Sequence, residues 1–341
     1  MVHVNGRVLS ASICGVNRYL NNILNNVEEN TFSVFRSKAR GISGHLWEQS
    51  CLPLMLHRND ILWSPSNTGP IFSPFKHIVT IHDIAPLEHP EWTNFNFRHF
   101  YRFIIPKIIN YSDHIITVSE YTKERILNIS NISDSKISVI YNGVDDSYKN
   151  KFLPLEIEKM KINFGLYDKR YVLSVSSIEP RKNIKRVLDT WSHIVDVIDD
   201  DIWLILVGNT NKRIFSDLGV SIIPPRVKFI GFVEEMFLPL LYQGAELFIY
   251  VPFYEGFGLP PLEAMASGTP VITSNKTSIP EVTGSAAMLV EPNNIEEISD
   301  AMVAMLTETS LREKYQLLGQ ERAKNFSWAK TAAKTVDVLL S

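Results

Sequence analysis

The chain of 341 residues is long enough for two domains, because single domains usually contain about 100–200 residues. Its apolar fraction of 45% and charged fraction of 21% exclude a disordered or low-complexity protein. The net charge of −3 gives no global reason to expect nucleic-acid binding, and two cysteines, Cys14 and Cys51, are too few for a disulfide framework. Neither a secretion signal nor a spanning helix is readable, so a cytoplasmic protein is expected.

Short β-branched runs alternate with longer helical runs from one end of the chain to the other, which predicts a parallel α/β architecture. In the first half the predicted strands are 2–5, 33–36, 61–65, 77–82, 114–119 and 137–141, and the predicted helices are 16–27, 94–109 and 120–129. In the second half the predicted strands are 171–177, 203–208, 227–231, 247–251, 270–274 and 286–290, and the predicted helices are 183–198, 234–243, 261–267, 295–306 and 310–324.

Because both halves share this alternation, we expect two doubly wound domains joined by a hinge in the polar segment 142–154. Ligands of open α/β sheets bind beyond the carboxyl ends of the strands. Two facing domains would therefore enclose a cleft lined by residues that follow strands.

Two carboxylates flank a turn rich in Gly and Pro after the predicted strand 247–251. Glu255 follows the strand, and Glu263 is expected in the first turn of the next helix. Gly256 and Gly258 allow backbone amides to approach a ligand. One alternative is a structural turn whose helix carries an early Glu to complement its dipole, and another is the carboxylate pair of a glycoside hydrolase. A dinucleotide fingerprint is disfavoured, because Pro261 stands where the third Gly is required.

A basic pair follows the predicted strand 171–177. Arg181 and Lys182 precede a helix, so cationic side chains and free backbone amides would meet at one edge of the sheet. That combination suits a diphosphate, and the alternative is a solvated basic turn.

Fewer candidates stand out in the first half. Gly15 opens a helix and is either a ligand-facing glycine or a plain turn. His82 ends a buried strand beside Asp83 and is either structural or part of a site.

The run 199–201 of three Asp precedes a strand, which indicates a solvated loop, and no metal site is expected. The segment 94–111 mixes aromatic and basic residues, which fits a packed helix or a helix on an anionic membrane.

Four motifs occur in an order that resembles the retaining glycosyltransferases of family 4: GVNRY (15–19), IHDIAP (81–86), EPRKN (179–183) and EGFGLPPLE (255–263). The resemblance extends over essentially the whole chain. It implies the GT-B architecture of two Rossmann-like domains, with an acceptor domain at 1–150, a nucleotide-sugar donor domain at 151–325 and a C-terminal helix at 326–341 that returns to the first domain.

The resemblance also assigns roles. Arg181 and Lys182 would bind the donor diphosphate, Glu263 the ribose hydroxyls and Glu255 the sugar hydroxyls near the reacting carbon. His82 would contact the sugar from the other domain, and Gly15 would keep the phosphate approach unobstructed. Backbone amides of the donor turn would complete the site at Gly256, Phe257, Gly258 and Leu259.

The function that these roles imply is retaining, metal-independent and cofactor-free transfer of a hexose from a nucleotide sugar. EPRKN is similar to members that use GDP-mannose, so mannosyl transfer to a saccharide or lipid-linked acceptor in O-antigen, capsule or lipopolysaccharide synthesis is expected. UDP- or dTDP-sugar donors, a nucleotide-sugar epimerase and a non-catalytic sugar-nucleotide-binding subunit are the alternatives. One departure is SASIC (10–14), where the family commonly has a Gly-Gly pair, so contact between the backbone of residue 14 and phosphate is in doubt.

Overall fold

The computed structural model describes residues 1–10, 15–39, 41–93, 95–208 and 223–341. The chain divides into two compact units. Unit 1 comprises Met1–Gly143 and Phe326–Ser341, and unit 2 comprises Val144–Asn325. Within the described ranges, no helix is both long and apolar enough to cross a membrane. Cys14, where the departure from the family's Gly-Gly pair puts backbone contact with phosphate in doubt, lies outside the described residues.

Unit 1 contains a six-stranded parallel sheet with strand order β2-β1-β3-β4-β5-β6. The strands are β1 Val2–Asn5, β2 Phe32–Phe35, β3 Ile61–Ser64, β4 Lys76–Ile81, β5 His114–Thr117 and β6 Ile137–Val139. The α-helices are Gly15–Asn25, Gly41–Leu54, Ala85–Glu88, Phe95–Tyr111, Glu120–Ile129 and Trp328–Leu340. Each of the six strands predicted for this half is present, within two residues at either end.

The core of unit 1 lies between the sheet and its helices. Helix Phe95–Tyr111 buries Ile104, Ile105, Ile108 and Ile109 against Val79, Ile81 and Ile115 of the sheet. Strands covered on both faces are continuously apolar, which explains why β-branched runs located them so well. The C-terminal helix Trp328–Leu340 packs in the same unit, with the Trp328 ring 6.1 Å from that of Tyr19.

Unit 2 contains a second six-stranded parallel sheet with strand order β12-β11-β10-β7-β8-β9. The strands are β7 Arg170–Val175, β8 Ile202–Val207, β9 Val227–Gly231, β10 Leu247–Tyr250, β11 Val271–Ser274 and β12 Met288–Val290. The α-helices are Pro154–Asn163, Ile184–Ile194, Leu238–Gln243, Leu259–Ala266, Ile279–Thr283, Ile295–Thr307 and Thr309–Ala323. The six predicted strands are again present within two residues.

Several helices differ from the sequence-based expectation. The pattern does not predict Gly41–Leu54 or Ile279–Thr283, and it predicts a helix to residue 198 that ends at Ile194. Part of the predicted hinge 142–154 has regular structure. Its residues Asp146–Lys149 form a 3₁₀ turn, and the buried Tyr148 ring lies 5.7 Å from the Tyr242 ring.

Both sheets reverse their winding beside the first strand. In unit 1 the chain passes from β1 to β2 on one side and then to β3 on the other, so the switch point lies between β1 and β3. In unit 2 the order β7, β8, β9 runs one way and β10 lies on the other side of β7. Crevices at the carboxyl ends of strands, next to such switch points, are where open α/β sheets bind ligands.

Candidate active site

A buried ion pair occupies the switch point of unit 2. Lys182 follows β7 and Glu255 follows β10, so the topology brings together two residues that are 73 positions apart in the chain. Lys182 Nζ donates hydrogen bonds to Glu255 Oε1 and, over 2.8 Å, to the hydroxyl of Tyr250. The Tyr250 hydroxyl in turn donates to Glu255 Oε1. The carboxylate therefore accepts two hydrogen bonds at one oxygen.

Burial and charge act against each other on this pair. Burial raises the pKa of Glu255, but the positive charges of Lys182 and Arg181 outweigh that effect and hold it below the ordinary value. Burial lowers the pKa of Lys182, and the Glu255 charge restores only part of it. The pKa of Tyr250 is raised by burial and by the neighbouring carboxylate, so its hydroxyl stays protonated and donates.

Arg181 extends the positive charge from Lys182 towards solvent. Its Nη1 lies 3.6 Å from Glu255 Oε1, and its Nε donates to Glu179 Oε2 over 2.9 Å. The 3₁₀ turn Pro180–Lys182 that carries both cations ends at Asn183, which has the left-handed φ of 58°. The buried Asn183 side chain donates to the carbonyls of Val251 and Pro292 over 2.9 and 2.8 Å. This asparagine ties the basic turn to the chain that leaves β10.

Two hydroxyl groups, those of Thr277 and Ser278, hydrogen-bond to the turn between β10 and the next helix. The Glu255 amide donates to Thr277 Oγ1 over 3.3 Å, and Ser278 Oγ lies 2.9 Å from the carbonyl oxygen of Glu255 and 3.0 Å from that of Phe257. Gly258 caps helix Leu259–Ala266 at a φ of +106°, which an L side chain rarely adopts. The turn 256–259 therefore leads into a helix that begins two residues earlier than predicted, and residues 256–258 are buried.

Glu263 lies in the second turn of that helix, not in the first turn as predicted, because the helix begins at Leu259 rather than at residue 261. Its side chain is buried, and Oε2 accepts a hydrogen bond from the Tyr242 hydroxyl over 3.1 Å. Glu263 thus pairs with Tyr242, whereas Glu255 pairs with Lys182 and Tyr250.

The two candidate residues of unit 1, His82 and Gly15, lie at the end of a strand and at the start of a helix. His82 follows β4; its Nε2 is 2.9 Å from the Pro65 carbonyl oxygen, and its ring packs edge-on against Tyr19 at 4.7 Å. Burial lowers the pKa of His82, while the Pro65 carbonyl and the Asp83 charge oppose that shift. Gly15 begins helix Gly15–Asn25, is exposed, and would have open space around an added Cβ.

Three residues that hold this arrangement together are absent from the sequence-based candidate set: Tyr250, Asn183 and Ser278. Tyr250 is the last residue of an apolar strand and reads as core. Asn183 could have been found, since Asn is the residue after Gly that most readily adopts the left-handed region. Ser278 contacts the turn from a different loop, and only the tertiary structure reveals it.

The arrangement offers cations beside a carboxylate at the edge of a parallel sheet. Lys182 Nζ uses two of its three N–H groups on Glu255 and Tyr250, and the part of the chain that the structure describes leaves the third available for a ligand. Such a site can stabilise negative charge that develops on a leaving group while the carboxylate binds hydroxyls or faces positive charge.

Two family models match successive parts of this chain. "Glycosyltransferase Family 4" matches residues 25–148, and "Glycosyl transferases group 1" matches residues 156–322. The second match contains the basic turn and both carboxylates of the site.

Curated relatives carry related names. O-antigen chain mannosyltransferase B of Escherichia coli is 29% identical over 76% of this chain and 69% of its own length. O-antigen chain mannosyltransferase RfbU of Salmonella typhimurium is 32% identical over 66% of this chain and 62% of its own. The serotype-specific mannosyltransferase WbdA of Escherichia coli is 28% identical over 77% of this chain. The matched region covers 33% of that longer protein.

Among solved structures, Anabaena Alr3699/HepE in complex with UDP matches 99% of this chain and 99% of its own, with a TM-score of 0.78 and 17% identity. The glycosyltransferase WaaG matches with a TM-score of 0.77 at 14% identity and the same coverage of both chains. These likenesses confirm the predicted α/β fold class of the GT-B glycosyltransferases. The chain belongs to the glycosyltransferases, with a family 4 segment followed by a group 1 segment.

Proposed function

We propose that the protein transfers a hexose, mannose from GDP-mannose in the first instance, to a saccharide or lipid-linked acceptor during O-antigen or capsule synthesis. The observation that carries the proposal is the buried cluster of Lys182, Arg181 and Glu255 at the switch point of unit 2. The mannosyltransferase names of the relatives support the choice of sugar.

In this proposal the donor lies along the carboxyl edge of the unit 2 sheet. Lys182 and Arg181 bind the diphosphate, Glu255 the sugar hydroxyls and Glu263 the ribose, while amides of the turn 256–259 hold sugar and phosphate. When the bond to the anomeric carbon breaks, negative charge grows on the diphosphate and positive charge on the sugar. The two cations and the carboxylate match that polarity, so we expect transfer without a metal ion and with retention of configuration.

The residues of unit 1 have supporting roles in the proposal. His82 contacts the donor sugar, and Gly15 leaves room for its phosphates. A neutral His82 that donates from Nε2 to the Pro65 carbonyl keeps Nδ1 as an acceptor for a sugar hydroxyl. The lowered pKa of His82 favours this neutral form.

For a lipid-linked acceptor, we propose peripheral binding at the inner face of the membrane through segment 94–111. Helix Phe95–Tyr111 buries its isoleucines and exposes Phe95, Phe103 and Tyr111. Lys107 Nζ lies 4.3 Å from the centre of the Phe103 ring, so one basic group lies beside an exposed aromatic ring. Aromatic side chains beside basic ones suit the surface of an anionic bilayer.

Vesicle sedimentation tests the membrane contact. The protein should pellet with anionic liposomes, and changing Arg98, Arg102 and Lys107 together to Ala should release it, since each basic residue near the surface contributes about 1 kcal/mol. The matched control changes three exposed lysines of unit 2, Lys185, Lys314 and Lys324, and should still pellet. Equal sedimentation of both triple variants would reject this role for the helix.

A thermal-shift panel of GDP-, UDP-, ADP- and dTDP-sugars tests the donor. A ligand that binds only the folded protein at 100 times its Kd adds about 2.7 kcal/mol to the free energy of unfolding. GDP-mannose should raise the melting temperature most. A larger shift with another nucleotide sugar would identify that compound as the donor instead of GDP-mannose. Product analysis by NMR would reveal an epimerase, because an epimerase converts the sugar nucleotide without an acceptor.

A further inference from the structure

A buried charged cluster also occupies the switch point of unit 1, and none of its residues is among the proposed donor ligands. We call it the Arg7 cluster, and its members are Asn5, Arg7, His45, Glu48 and Thr68. They come from separate parts of the chain: the end of β1, the turn after it, helix Gly41–Leu54 and the loop after β3. The cluster stands at the same topological position in unit 1 as the Lys182 cluster does in unit 2.

The cluster is built to fix one guanidinium group. Glu48 has no exposed surface, and its Oε1 accepts from Asn5 Nδ2 over 2.5 Å and from Arg7 Nε over 3.3 Å. Its Oε2 lies 3.3 Å from His45 Nδ1. Arg7 Nη2 donates to Thr68 Oγ1 over 3.0 Å. Two of the three guanidinium nitrogens therefore have partners, and the described residues give Nη1 none.

The opposite charges of Arg7 and Glu48 compensate each other. Burial raises the pKa of Glu48, but hydrogen bonding by His45 and the charge of Arg7 outweigh it, so the carboxylate is ionised opposite the guanidinium. An ion pair of zero net charge has little attraction for a phosphate. It still presents strong hydrogen-bond donors and acceptors, which suit the hydroxyl groups of a neutral ligand.

Aromatic side chains and an unpaired hydroxyl accompany the cluster. The His45 ring lies 4.4 Å from that of Phe100 and 6.1 Å from that of Tyr101. Burial raises the pKa of Tyr101, and the charge of Arg7 opposes the rise. Ser66, in the loop that carries Thr68, is buried, and its hydroxyl has no hydrogen-bond partner among the described residues.

We propose that the Arg7 cluster is a saccharide-binding subsite, in which Arg7, held by Glu48 and Thr68, donates hydrogen bonds to the hydroxyls of a neutral sugar. The proposal rests on the proposed function only in taking that sugar to be part of the acceptor. Glu48 is a positioning residue, since it acts through Arg7.

Saturation-transfer NMR with methyl α-D-mannopyranoside, in the absence of nucleotide, tests the subsite. Arg7→Lys keeps the charge opposite Glu48 but loses the planar fork, and we expect roughly tenfold weaker binding, the scale of one charged hydrogen bond. The double variant Arg7→Gln/Glu48→Gln removes both charges together, leaves no buried charge unpaired, and should abolish the signal. Circular dichroism and melting temperature confirm that each variant is folded.

Two controls separate this proposal from the donor proposal. The exposed Arg58→Lys should bind the mannoside like the wild type. Lys182→Gln/Glu255→Gln disables the proposed donor site and should keep the mannoside signal, whatever happens to turnover. No mannoside signal from the wild-type protein at millimolar concentration, or an unchanged signal in the folded Arg7→Gln/Glu48→Gln variant, overturns the subsite. The subsite is also overturned if mannose 1-phosphate binds in an Arg7-dependent way at least about tenfold more tightly than the mannoside, since that result identifies an anion site.

Discussion

At the scale of single residues, both switch points depend on buried charges that compensate each other. Glu255 is held by Lys182 and Tyr250, and Glu48 is held by Arg7 and Asn5. Removing one partner of such a pair leaves an uncompensated buried charge, which is strongly destabilising. Activity changes in single variants therefore have to be read together with their melting temperatures.

His77 gives the fold a pH dependence. It is buried, its Nε2 lies 3.0 Å from Ser64 Oγ, and burial lowers its pKa to about 4 against the charges of Glu48 and Asp113. Between pH 6.5 and pH 4 the unfolded chain binds a proton at this histidine that the folded protein does not. The free energy of unfolding should therefore fall by about 2 kcal/mol between pH 7 and pH 5 on account of His77.

Urea denaturation at the two pH values measures this contribution. His77→Gln keeps a polar side chain without a titrating group and should reduce the pH dependence by that amount, whereas the exposed His57→Gln should leave it unchanged. If His77→Gln and the wild type lost equal stability on acidification, the buried neutral state of His77 would be refuted.

At the scale of elements, the start of helix Leu259–Ala266 depends on a glycine. Gly258 has a φ of +106°, and a Cβ added there would lie 2.7 Å from Ile279 Cδ1. Gly258→Ala should lower the free energy of unfolding by about 1–3 kcal/mol, the usual cost of such a backbone state for a non-glycine residue. It should also shift the turn 256–259 and reduce donor binding.

Gly15→Ala is the matched control for stability, because its added Cβ meets open space at a helix start. Chemical denaturation of both variants should show a loss only for Gly258→Ala. Equal stability of Gly258→Ala and the wild type would show that the backbone can relax there. The helix start would then not require a glycine at position 258.

The strands could be predicted from sequence and several helices could not, for physical reasons. The central strands of each sheet are buried on both faces and read as apolar runs, and the edge strands β2 and β9 are partly buried. Helix Gly41–Leu54 contains Gly41, Gly44 and Pro53, and it buries Glu48 and His45, so its pattern does not mark one apolar face. That single omission hid the Arg7 cluster, whereas Arg181, Lys182 and Glu255 were found because they directly follow strands.

At the scale of the whole molecule, two sheets of the same parallel type each carry a compensated ion pair at the switch point. The sequence could predict the members of the unit 2 pair as candidates, but not their contact, because Lys182 and Glu255 meet only through the strand order. Arg7 and Glu48 depend on tertiary structure in the same way. We expect a nucleotide-sugar site in unit 2 and a saccharide subsite in unit 1.

The most direct test of the central claim is an assay of mannose transfer from GDP-mannose to an alkyl α-D-mannoside. The rate is measured as GDP release, with and without EDTA. Lys182→Ala should lower turnover by about 10²–10³, the usual effect of removing one group that stabilises developing charge, while Lys185→Ala, three residues away and exposed, should stay close to the wild type. EDTA should have no effect. Turnover of a folded Lys182→Ala variant at the wild-type rate, or no transfer by the wild type from any donor of the nucleotide-sugar panel, would contradict the account.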